Sequence, residues 1–194
     1  MKLNLEIAVP SSQDWIDCVL NNFDEFLIDH ADCERKASSM AMSFVAKYPD
    51  RLEIIQELID TGMEELEHFK DVYTIMESRG ISLPDKMGED KYVKDLIKLC
   101  RHTREERFID RMCVASVVET RGAERFKMVA DHIEDPELQS FYKRLWTSEA
   151  KHGHIFVKML LNYFPEDKVY PRLEYLTEKE GEIISALPIR PALH

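Results

Sequence analysis

Glu65-Leu66-Glu67-His68 and Glu149-Ala150-Lys151-His152 are two copies of one pattern, a glutamate followed three positions later by a histidine. On an α-helix, residues three apart lie side by side, so each pair can offer a carboxylate and an imidazole to the same ion. Each copy is preceded at nearly the same distance by a lone glutamate: Glu34 stands 31 residues before Glu65, and Glu119 stands 30 before Glu149. All four glutamates interrupt apolar stripes of helical period. The stripes read Leu27, His30, Glu34, Ala37, Ala41; Leu58, Gly62, Glu65, Phe69, Val72; Met112, Ala115, Glu119, Gly122, Phe126; and Leu145, Glu149, His152, Phe156. An ionised carboxylate buried without a partner is strongly unfavourable, so four of them in apolar stripes call for cations. One glutamate from each of two helices, with Glu-x-x-His from each of two others, is the ligand set of di-metal carboxylate bundles. Glu34, Glu65, His68, Glu119, Glu149 and His152 are therefore the candidate ligands of two iron ions. The lone glutamates are expected to bridge and each pair to cap one metal. Mixed carboxylate and imidazole donors with open positions favour iron, with manganese as the alternative, and suit the activation of dioxygen. The absence of thiolates in the set speaks against structural zinc.

The neighbouring carboxylates and imidazoles fit less well. Glu124 lies five residues beyond Glu119, which turns it by about 140° around the helix, toward Arg121, Lys127 and Asp131. Glu64 and Glu67 flank the second pair on polar faces. His30, one turn before Glu34, reads as a core residue or as one that supports a ligand, Tyr142 as core, and His132 and His154 as surface.

The breakers around these stripes fix the helix ends. Ser11-Ser12 after Pro10 forms an N-cap, and the helical pattern then runs over 12–47 with a break at Asn21-Asn22. Asp50-Arg51-Leu52-Glu53 reads as a capping box that opens a helix over 50–79, closed by Gly80 and Pro84. A loop covers 80–90, and a helical stretch begins near Lys91 and breaks near Thr103. The third long helix covers 105–133. Asp135-Pro136, an N-cap followed by proline at the first helical position, opens the fourth over 136–164, which Pro165 ends. A shorter helix is predicted over 171–186, then an extended tail. No strand alternation stands out. Tight connections within each helix pair and a long one between them, 80–104, predict an all-α, ferritin-like four-helix bundle. It consists of two antiparallel hairpins joined by a long crossover, with extra short helices, in a single domain spanning 1–194.

Composition limits the partners. With 26 Lys and Arg against 37 Asp and Glu, the net charge is −11, which disfavours nonspecific nucleic-acid binding. Residues 91–111 depart from this, with seven basic residues against four acidic. Lys91, Lys94, Lys98 and Arg101 recur there at three and four residues and form one candidate phosphate-binding stripe. Cys18, Cys33, Cys100 and Cys113 form no C-x-x-C pair, so reduced thiols are expected. No apolar run reaches a membrane span, and Met1–Glu6 carries no signal segment. The expected location is the cytoplasm, with no membrane partner.

The motifs also carry a resemblance. Asp29-His30-Ala31-Asp32-Cys33-Glu34-Arg35-Lys36-Ala37, Glu64-Glu65-Leu66-Glu67-His68-Phe69, Val118-Glu119-Thr120-Arg121-Gly122-Ala123-Glu124-Arg125-Phe126 and Ser148-Glu149-Ala150-Lys151-His152 resemble the four metal-binding helices of the tRNA 2-methylthio-isopentenyladenosine hydroxylases, the MiaE family. The resemblance spans roughly residues 15–165. It implies a non-haem di-iron monooxygenase that uses O2 and an external electron donor. Its substrate is implied to be the isopentenyl side chain of a hypermodified adenosine in the tRNA anticodon loop, and its metal ligands the six residues above. The alternatives are a ferritin- or rubrerythrin-like ferroxidase or iron-storage protein, which needs no basic patch, and a metal-free helical scaffold.

Overall fold

The computed structural model describes residues 5–86 and 88–194. Met1–Asn4 and Met87 lie outside the described residues, and with them the start of the segment read for a signal and one position of the 80–90 loop. Seven helices and no strand occur among the described residues: α1 Gln13–Asn21, α2 Phe23–Lys47, α3 Leu52–Ser78, α4 Lys91–Lys98, α5 Arg104–His132, α6 Pro136–Leu161 and α7 Glu166–Ala186. None is long and apolar enough to cross a membrane.

The caps mark the boundaries. Ser12 accepts from the Trp15 N–H and opens α1. Thr103 and Asp135 accept the first free N–H groups of α5 and α6. Gly80, at φ 70, takes the left-handed position after α3. Asn22 separates α1 from α2, where the break is expected.

Two boundaries differ. The N-cap of α3 is Arg51, which makes no side-chain cap, so the helix begins at Leu52 rather than at 50. Helix α7 begins at Glu166 rather than 171, with Pro165 as its N-cap and Pro171 inside it. Proline at the cap lacks only an N–H that has no helical acceptor there, and Glu166 and Asp167 complement the helix dipole, so the new helix starts at once.

The chain packs as two compact units, Met1–Ile16 with Asp90–Ile189 and His194, and Asp17–Glu89 with Arg190–Leu193. The second unit is built on the α2–α3 hairpin, whose inner residues include Leu27, Ala41, Phe44, Leu58, Val72 and Met76. At its crossing, the Ser38 hydroxyl donates to the Gly62 carbonyl at 2.7 Å.

The first unit is built on the α5–α6 hairpin, with α4 and α7 packed against it. Helix α5 is buried continuously from Met112 to Val117. Two ion-pair clusters hold the added helices in place. In one, Asp110, fully buried on α5, accepts from the Arg101 backbone N–H and guanidinium and from Arg172 of α7, which also donates to the Leu99 carbonyl. In the other, Arg121 of α5 forks onto Glu180 of α7 at 2.7 and 2.9 Å and also reaches the Val9 carbonyl. Tyr92 of α4 donates to the same Glu180. Burial, then the charge of Glu180, raises the Tyr92 phenol well above its ordinary value, so it stays a donor.

Burial alone would raise the Asp110 carboxyl, but hydrogen bonds from Arg101 and Arg172 outweigh it and hold the group below its ordinary value. A depressed acid stabilises the fold fully above its unfolded pKa of about 3.9 and loses that contribution as pH falls through the lower folded value. Asp110→Asn should therefore cost about 1.5–3 kcal/mol in urea unfolding at pH 5 to 8, and the difference from the parent should narrow below about pH 4.

Candidate metal centre

Each hairpin presents one set of buried donors. On α2 and α3, Glu34 and Glu65 are buried and His68 is half-buried, its side chain 15% exposed. One donor atom from each of the three lies within 4.8 Å of the others. The His68 Nδ1 stands 3.4 Å from Glu65 and 3.8 Å from Glu34. The His30 Nε2 lies 2.7 Å from one Glu34 oxygen, while the other oxygen faces His68. His30 thus holds Glu34 from behind, the supporting position that its place one turn earlier suggests.

On α5 and α6, Glu119, Glu149 and His152 are all buried. Their donor atoms likewise approach within 4.8 Å of one another, with His152 Nδ1 at 3.0 Å from Glu149. The three fall on the inner face because α5 and α6 approach closely at one point. The Ser116 hydroxyl donates to the Gly153 carbonyl at 2.8 Å. A Cβ on Gly153 would stand 2.8 Å from the Thr120 hydroxyl and 3.4 Å from the Ser116 carbonyl. Gly153 follows His152 directly, and Ser116 and Thr120 flank Glu119, so this approach sets the register of the three donors.

Both sets consist of carboxylate oxygens and imidazole nitrogens, a chemistry that suits an iron ion. The cysteines are all free, and Cys100 and Cys113 are buried. Burial pushes the Cys113 thiol up to about 12, so it stays protonated.

The structure separates Glu119 from its rival. Glu124 accepts the Ser11 N–H and hydroxyl, each at 2.8 Å, and faces Arg121 at 3.3 Å. Arg121 itself is not on a polar surface, as the helical phase suggests, but fully buried against Glu180. Tyr142 is core, against Phe126 and Phe141. Sequence reading misses the role of Glu180, because its partners are 59 and 88 residues away and α7 has an ordinary acidic pattern.

The α4 stripe is largely matched already. Lys91 and Lys98 both grip Asp95, at 2.5 and 2.6 Å, and those hydrogen bonds lower the Asp95 carboxyl to about 2. Arg101 is committed to Asp110 and Glu106. Lys94 is exposed on the same helix.

Residues 3–194 match the model of the family described as tRNA-(MS[2]IO[6]A)-hydroxylase (MiaE). The chain belongs to this family. A Pseudomonas putida protein named tRNA 2-(methylsulfanyl)-N(6)-isopentenyladenosine(37) hydroxylase is 34% identical over 181 residues, covering 93% of this chain and 87% of that one. A Salmonella typhimurium protein of the same name is 26% identical over 224 residues, 90% of this chain and 82% of that one. Among solved structures, a Synechococcus protein with aldehyde deformylating oxygenase activity superposes with a TM-score of 0.91 at 31% identity, covering 97% of this chain and 94% of that one. The all-α, ferritin-like fold class expected from the doubled motif is thereby shown.

The close approach at Gly153 can be tested by suppression. Gly153→Ala should cost about 1–3 kcal/mol through overpacking and lower the iron retained after dialysis against a chelator. Adding Thr120→Ala, which removes the nearest clashing atom, should restore most of both. A separate comparison reads the third long helix: Glu119→Gln should deplete bound iron, while Glu124→Gln should leave iron content near that of the parent and lower the unfolding midpoint through loss of the Ser11 contacts.

Proposed function

We propose that this chain is a di-iron, O2-dependent monooxygenase that hydroxylates the isopentenyl side chain of a hypermodified adenosine beside the tRNA anticodon. The observation that carries the reading is the presence, in a chain that belongs to this hydroxylase family over nearly its whole length, of two buried sets of one lone glutamate and one Glu-x-x-His. Together Glu34, Glu65, His68, Glu119, Glu149 and His152 would hold a pair of iron ions within one domain. The pair, when bound, would supply the reduction of dioxygen. The chain's own residues do the rest. Six ligands fix the ions, and His30 orients the Glu34 carboxylate. Apolar neighbours such as Leu27, Met112, Ala115 and Leu145 keep water away.

The balance is R–H + O2 + 2 e⁻ + 2 H⁺ → R–OH + H2O. The sequence has no paired-cysteine motif of its own, so the two electrons come from an external donor. An anticodon-loop base is already single-stranded and enters a pocket at little cost. The cytoplasm, where tRNA is modified, is the expected location. The ferroxidase alternative gives no role to RNA and is set aside on the family match.

Two measurements test the reading. Protein produced with ample iron should contain about two irons per chain by elemental analysis, the occupancy of a di-iron carboxylate site. Transfer RNA from a strain lacking the protein should lose the hydroxylated nucleoside and accumulate its unhydroxylated precursor. Zinc alone in the protein sinks the di-iron claim, and an unchanged nucleoside profile sinks the substrate claim.

A further inference from the structure

Helix α6, which carries Glu149 and His152, also turns an unbroken cationic stripe to solvent. Arg144, Lys151 and Lys158 recur every seven residues, with Lys143 beside the first, and all four are exposed. Seven residues are close to two helical turns, so they share one face over roughly 21 Å from Arg144 to Lys158. Between Leu138 and Leu161 the sole acidic residue is Glu149, which is buried. The contacts these cations make inside the chain are to uncharged groups: Lys143 donates to the Gln139 side-chain oxygen at 3.1 Å and Arg144 to the Ser140 hydroxyl at 3.2 Å. Neither Lys151 nor Lys158 has an ion pair among the described residues.

In a chain of net charge −11 a helix face of four unmatched cations is a local exception. The α4 stripe is not comparable, since two of its lysines share Asp95 and its arginine serves Asp110. The exposed face of α3 has the reverse character, with Asp60, Glu64, Glu67 and Asp71 set against Lys70, and would repel a polyanion.

We propose that the solvent face of α6, through Arg144, Lys151 and Lys158, binds the phosphate backbone of the RNA substrate. The inference rests on the tRNA reading above and assigns the contact to α6 rather than α4. Backbone contact here needs no base sequence, because cations meeting phosphates release counterions whatever the bases are. Lys151 lies between Glu149 and His152 in the chain and is exposed where they are buried. A strand seated on Lys151 is therefore held about one helix thickness from Glu149 and His152.

The test measures binding of an unmodified anticodon stem–loop RNA by fluorescence anisotropy across a salt series, with iron content and thermal melting read in parallel. For Lys151→Glu with Lys158→Glu, affinity should fall roughly tenfold or more, and the slope of log affinity against log salt should drop by about 1.4–1.8, the sum for two lost phosphate contacts. Iron content and melting should match the parent. Lys151→Gln with Lys158→Gln, which introduces no new charge, should show the same slope change and guards against a folding defect in the glutamate pair. Lys91→Glu with Lys98→Glu should change the slope less. Parent-like affinity and slope in both α6 variants overturn the assignment and leave the tRNA reading standing. Weakened binding that tracks lost iron also overturns it, since the loss then stems from a damaged centre. Parent protein that binds no RNA at all overturns both.

Discussion

A glutamate in the apolar interior of a helix pair is tolerated only if something positive meets it, and this chain repeats that problem four times. Glu34, Glu65, Glu119 and Glu149 are all buried. Their immediate company in each hairpin is imidazole: His30 and His68 around Glu34 and Glu65, and His152 beside Glu149. Imidazole is a poor permanent counter-charge but a good metal ligand, so buried carboxylates in its company suit an added cation. Elsewhere in the interior the chain resolves the same problem differently. Asp110 is met by two arginines and Glu180 by one. Carboxylate with guanidinium is a closed arrangement that needs nothing added. Carboxylate with imidazole is an open one, and it occurs in each hairpin at the position of the doubled motif.

Much of this is legible in the sequence because it is local. Proline, glycine and capping residues act within one turn, so the ends of α2, α5 and α6 fall close to where Pro49, Thr103 and Asp135 place them. The Glu-x-x-His spacing is a property of one helix, and its repetition requires no knowledge of packing. Illegible are the features that depend on partners far along the chain. Arg121 reads as a surface residue because arginine usually is one, and only the arrival of Glu180, Val9 and Ser11 makes its burial tolerable. The α4 stripe reads as a candidate phosphate-binding face, and its Arg101 is committed to Asp110, nine residues on, while Lys91 and Lys98 share the nearby Asp95. Pro171 argues against helix by its local preference, and α7, held to α5 by Arg172 and Glu180, forms through it.

The two hairpins reach the same local arrangement by the same device. In each, a serine hydroxyl on one helix donates to a glycine carbonyl on the other, Ser38 to Gly62 and Ser116 to Gly153. Serine supplies a short donor that tolerates the close approach in both, and at Gly153 the missing side chain is what permits it, since a Cβ there would stand 2.8 Å from the Thr120 hydroxyl. Each contact lies within about one turn of the glutamates it aligns, since Ser38 follows Glu34 and Gly62 precedes Glu65, while Ser116 precedes Glu119 and Gly153 follows Glu149. Donor geometry is thereby set by backbone proximity, which is stiffer than contact between long side chains.

Helix α5 shows what that stiffness demands of its surroundings. From Met112 to Val117 it has no exposed residue, and its next turns hold Glu119, Arg121, Glu124 and Arg125. A stretch with no exposed residue cannot leave a polar group to water, so each charge on it needs a partner of its own. Glu124 takes Ser11, Arg125 lies over the Trp15 ring at 4.4 Å, and Arg121 takes Glu180. The segment before α1 and helix α7 are thus held against α5 by the polar groups that flank Glu119. These contacts also hold Glu124 on Ser11 and leave Glu119 as the carboxylate of α5 that lies with Glu149 and His152 among the candidate ligands. The choice between two glutamates five residues apart is made by the groups that occupy the one not used.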